Sequence, residues 1–150
     1  MLKTSPLDQT DYLLWLETNL AHLRAANYSL VDWTHLIEEI EDLGRAKKSE
    51  LRSRLNTLLE HLLKRLYVDL PQEFNGWERT IRQQRKQLTW LLEDSLSLKT
   101  HWEHTWRIAW QWALQDLQQE YPDTTFPDRW LFGSDPDTLL QADFYHRQLD

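Results

Sequence analysis

The chain has 150 residues, a net charge of −7, 41% hydrophobic residues and no cysteine. That length and apolar content suffice for one domain, 1–150, with one core, and the missing thiols exclude disulfides, thiolate zinc sites and cysteine nucleophiles and fit a reducing compartment. The apolar run before Glu17 is five residues long and nowhere do 18 apolar residues follow one another, so a cytoplasmic protein, neither exported nor membrane-spanning, is expected. Three glycines and abundant Leu, Gln, Glu and Arg are the composition of helices.

The spacing predicts a first helix over roughly 8–25, capped by Asp8 or Thr10, with Tyr12, Leu13, Leu16, Leu20 and Leu23 beside Trp15. After a lapse at "AANYS", Ser29 or Asp32 can cap a second helix whose Leu36, Ile37, Ile40 and Leu43 read as a buried stripe. Gly44 follows, then a leucine face of Leu51, Leu55, Leu58, Leu59, Leu62, Leu63 and Leu66, ended by Pro71 and "PQEFNG". Unbroken, residues 32–68 would span about 55 Å at ~1.5 Å per residue, more than the ~40 Å expected of a compact domain of this size. Either the helix is broken or kinked near Gly44, or it protrudes and dimerises. A third helix is expected to start near Trp77, to carry Ile81, Leu88, Leu91 and Leu92, and to loosen at "DSLSL". A fourth follows from about Lys99 to Glu120, and the tail has room for one short helix near 136–142. The expected fold is an all-α bundle of four to five main helices with an aromatic, proline-punctuated C-terminal tail, in which Trp130, Phe132, Phe144 and Tyr145 fold back onto the bundle.

Charge is segregated along the chain. Residues 1–44 hold two Lys/Arg and eight Asp/Glu, residues 45–86 eleven and five, and residues 87–150 four and eleven. Antiparallel helices that set the basic middle beside its acidic flanks explain this most simply, each exposed pair contributing a fraction of a kcal/mol; a basic face for RNA or an acidic protein is the alternative.

"EEIEDLG", then "HLLKR" seventeen residues on, then "WERTIRQQR", "SLSLK" and a closing "FP…LLQADF" resemble, in order, the pattern of the bacterial domain-of-unknown-function family number twenty-nine. The resemblance runs from "DYLLWLETNLAHLR" to Phe144 and implies an almost entirely helical domain. The matching positions are Glu38, Glu39, Glu41 and Gly44, then His61, then Trp77, Thr80, Ile81 and Arg85; the resemblance attaches no functional role to them.

Four constellations are candidates for chemistry or for stacking. His35, Glu38 and Glu41 stand at three-residue steps and could offer ligands to a metal together with His61. His61 lies twenty residues beyond Glu41, about 30 Å along a straight helix, so the set closes only if the chain folds back near Gly44 or a second subunit intervenes. A solvated face with an Glu41–Arg45 pair is the simpler reading. "HWEH" at 101–104 lacks a third ligand. Arg54 and His61, seven apart on one face, are similar to the Arg–His motif of small helical HEPN ribonucleases, in which histidine would move a proton and arginine would steady phosphorane charge. Trp102, Trp106 and Trp110 at four-residue steps could stack bases, but their acidic helix favours core or partner packing.

Trp77 with Arg79, Arg82 and Arg85 forms a candidate binding stretch, beside Lys86, Gln83 and Gln84. No phosphate loop or nucleophile elbow is present, and no cofactor is expected. The reading that follows is a cytoplasmic interaction or adaptor module, expected to bind a protein partner or to dimerise, and more a binding protein than an enzyme. Its rivals are a HEPN-like ribonuclease on Arg54 and His61 and a metal-binding bundle on His35, Glu38, Glu41 and His61.

Overall fold

A computed structural model describes residues 11–146. Among them are five α-helices, α1 (Tyr12–Arg24), α2 (Trp33–Tyr67), α3 (Pro71–Asp94), α4 (Trp102–Glu120) and α5 (Pro136–Gln141), with 3-10 segments at Tyr28–Leu30 and Leu96–His101 and no strand. The fold is therefore all-α, with four main helices and a short one. The chain divides into two compact units, Met1–Ala46 and Lys47–Asp150.

The first unit is a helical hairpin. Asp11 caps α1 by accepting from the Leu14 amide at 2.9 Å; the caps expected at Asp8 or Thr10 lie outside the described residues. At its other end Ala26 stands at φ 58°. The Ala26 amide donates to the Leu23 carbonyl at 3.1 Å and the Asn27 amide to the His22 carbonyl at 2.8 Å, the paired bonds of a Schellman close with alanine where glycine is usual.

Helix α2 corrects one expectation: it continues through Gly44 without a break. No glycine among the described residues has a positive φ, and a lone helical glycine costs only about 1 kcal/mol relative to alanine. Helix α3 corrects another. It begins at Pro71 rather than near Trp77, because proline fits the first helical position, where its missing N–H would have had no partner.

The second unit holds the main core. Leu51, Leu55, Leu58, Leu59, Leu62 and Leu63 of α2 are fully buried and pack with Ile81, Leu88, Leu91 and Leu92 of α3 and with Trp102, Ala109, Trp110, Ala113 and Leu117 of α4. The α3 helix ends at Asp94, where the serines begin. Trp106 stacks on Trp110 with centroids 5.9 Å apart, and Trp130 of the tail meets Trp110 edge-on at 6.0 Å. The tail is held by Arg85, which donates to the carbonyls of Leu139 (3.1 Å) and Ala142 (2.7 Å) while its guanidinium lies over Phe144. Arg65 lies 3.9 Å from the centroid of Phe74 and 4.9 Å from that of Tyr145, with its Nε bonded to Glu78 at 2.7 Å.

Candidate interaction surface

The hairpin of the first unit is closed by polar groups rather than by an aliphatic core. Trp15, 2% exposed, donates its indole N–H to Asp32 at 2.9 Å. Asn19, also buried, donates to the Trp15 carbonyl at 2.9 Å and accepts the Asp32 amide at 2.7 Å. His35 Nδ1 lies 2.8 and 3.0 Å from the two Asp32 oxygens, and since an ionised carboxylate only accepts, Nδ1 carries the proton. Tyr12 stacks on Trp15 and donates its hydroxyl to Glu39 at 2.6 Å. Burial opposes the charge on Asp32, but the bonds from Trp15 and from the ring and amide of His35 outweigh it and hold the carboxyl below its ordinary value.

With the inner side so filled, three of the four aliphatic side chains expected in a buried stripe, Ile37, Ile40 and Leu43, face outward, while Leu36 is half-buried. Ile37, Ile40 and Leu43 are 54, 59 and 68% exposed, and Trp33 beside them is open too. A hairpin has one inner side, and here Trp15, Asn19, Asp32 and His35 occupy it. Singly exposed apolar residues are ordinary, and it is their succession along one ordered helix that makes this row a candidate contact surface.

The residues singled out for chemistry are held in other ways. His35 is committed to Asp32 inside the hairpin, and Glu38 and Glu41 are exposed on α2. The chain does not fold back at Gly44, and among the described residues no group of three or more His, Asp or Glu is placed to hold a metal ion. Arg45 pairs with Asp42 at 2.8 Å rather than with Glu41.

Arg54 donates to Glu50 at 2.9 Å and to Gln84 at 3.3 Å. His61 directs Nδ1 at the Thr57 carbonyl, 2.8 Å away, and burial, aided by the nearby Lys64, lowers its pKa despite that bond and Glu120. Glu60 beside it is pushed up by burial and by Asp116 and Glu120. Arg54 and the Nδ1 of His61 are thus engaged within the protein. In the binding stretch, Trp77 is buried in the core and Arg85 grips the tail, while Arg79 and Arg82 are exposed. His101 is half-buried and His104 exposed. An open groove in the second unit is lined by Arg52, Asn56, Ile108, Trp112 and Asp116, with Asn56 bonded to the Ala109 carbonyl at 3.2 Å.

Trp15, Asn19 and Asp32 gain their importance from each other, and sequence reasoning assigned Asp32 only a capping role. The signals were the four-residue step from Trp15 to Asn19 and the three-residue step from Asp32 to His35, each placing two polar-edged side chains on one helix face.

Fold and surface together define an all-helical protein with an outward apolar row on its N-terminal hairpin. The chain belongs to the family described as Domain of unknown function DUF29, whose model matches residues 7–145. No curated protein and no solved structure matches it. No helix among the described residues is long and apolar enough to cross a membrane.

Proposed function

We propose that this chain is a cytoplasmic protein-interaction module that docks through the outward face of α2 in its N-terminal hairpin. The observation that carries the reading is the exposure of Ile37, Ile40 and Leu43 in one row on a helix anchored from behind by the Trp15–Asp32–His35 network. An apolar row on a pre-ordered element presents area for docking without an ordering cost at binding. The bonds already made by Arg54 and His61 do not favour a ribonuclease, nor does the exposure of Glu38 and Glu41 favour a metal centre.

The test compares tagged wild type with Ile37→Asp/Ile40→Asp by native mass spectrometry of complexes isolated from expressing cells. Wild type is expected in a complex of defined stoichiometry that the variant lacks, with the helical melting curve unchanged because both side chains already face water. A variant that retains every complex of the wild type would overturn the reading.

A further inference from the structure

We propose that the occupant of this face is a second copy of the chain, laid antiparallel along α2; this rests on the docking reading above and names its partner. Trp33, Ile37, Ile40 and Gly44 follow one another at steps of four, three and four residues and so form one face. At Gly44 nothing lies within 4 Å of where a Cβ would stand, which leaves a notch in that face.

One flank of the face carries Glu38, Glu41, Arg45 and Lys48, again at three- and four-residue steps, and all four are exposed. Two carboxylates precede two cations. A parallel copy would carry this flank on the opposite rim, away from its counterpart, whereas an antiparallel copy brings the two flanks to one rim and, crossing between Ile40 and Gly44, sets Glu41 against Arg45 and Glu38 against Lys48. Twofold symmetry repeats each pairing, so every Ile40 seats over the other copy's Gly44 with charge pairs along the rim. The intrachain Arg45–Asp42 pair is exposed on both sides and competes weakly.

The order of charges gives a test that a merely sticky surface would fail. Sedimentation of the full chain over about a hundredfold dilution should show a monomer–dimer equilibrium, since association is set by mass action. Glu41→Arg and Arg45→Glu should each weaken the dimer by about tenfold or more through like-charge contact. Their equimolar mixture should dimerise as wild type does, because each reversed charge then meets its opposite. Gly44→Leu should be monomeric with full helicity.

A mixture no better associated than its components, or single variants that dimerise like wild type, would overturn the antiparallel pairing. If wild type is monomeric throughout while Ile37→Asp/Ile40→Asp still abolishes a complex with another protein, the second copy is the wrong occupant and the docking face stands. If wild type is monomeric and that variant loses no complex, both fall.

Discussion

Asp32 shows at the scale of one residue how a buried polar group can define a hairpin. It receives the Trp15 indole and the His35 ring, so Asp32→Ala leaves a buried indole N–H without an acceptor and should cost about 1 to 3 kcal/mol, read as a lower denaturation midpoint of α1 and the start of α2. Acid should act on the same group. A carboxyl whose folded pKa lies below its ordinary 3.8 contributes its stability fully above that pH and loses it as the pH falls further; the wild-type midpoint should therefore drop below about pH 4 more steeply than that of Asp32→Asn, and parallel curves would refute the assignment. Ala26 offers a change of opposite sign. At φ 58° an L-residue is strained by about 1 to 2 kcal/mol, so Ala26→Gly should raise the hairpin's stability by up to about 1 kcal/mol once glycine's greater chain entropy is subtracted, which thermal unfolding can measure. The sequence shows the local steps from Trp15 to Asn19 and from Asp32 to His35, but neither their meeting nor the conformation of Ala26. "AANYS" shows a lapse in pattern, not a left-handed residue, and nothing in the spacing from Trp15 to Asp32 tells that they meet.

Among the elements, α2 was the most legible and the most misleading. Its leucines at 51–63 were readable because three- and four-residue spacing marks a face whatever covers it, and here α3 and α4 do. Leu58 and Leu62 are fully enclosed, so Leu58→Ala and Leu62→Ala should each cost about 2 to 5 kcal/mol in chemical denaturation; losses under about 1 kcal/mol would mean that the core around them collapses freely. The same periodicity at Ile37, Ile40 and Leu43 predicts burial, yet those side chains are open to water. Periodicity reports that a face is apolar and says nothing of what lies against it. Pro71 misled for a related reason: the residue that must end one helix is also well suited to start the next, and only the short Val68–Leu70 connection tells the two roles apart.

For the whole molecule, length suggested one domain, and contacts divide it into two units of unequal core. The larger unit encloses the leucines of α2 and the tryptophans of α4, while the buried apolar side chains of the hairpin are Trp15 and Val31. Amide hydrogen exchange should accordingly separate into a slow class over Leu51–Leu63 and a faster class over α1; uniform exchange would indicate a single cooperative unit. The tail follows from another part of the structure. Helix α5 has six residues, too few to persist alone in water, and its closing carbonyls are gripped by Arg85 from α3. The order of residues 136–146 thus leans on a side chain more than fifty positions away, beside the burial of Leu139 and the contacts of Phe144 and Tyr145. Arg85→Gln should turn this stretch into a site of proteolytic nicking, cut faster than in wild type by a protease that prefers large apolar residues, whereas equal resistance in wild type and variant would show that the aromatic contacts suffice. Local opening of a segment that one guanidinium helps to hold gives degradation a route that does not wait for global unfolding, so the lifetime of the protein depends on how the tail is fastened as well as on the core it packs against.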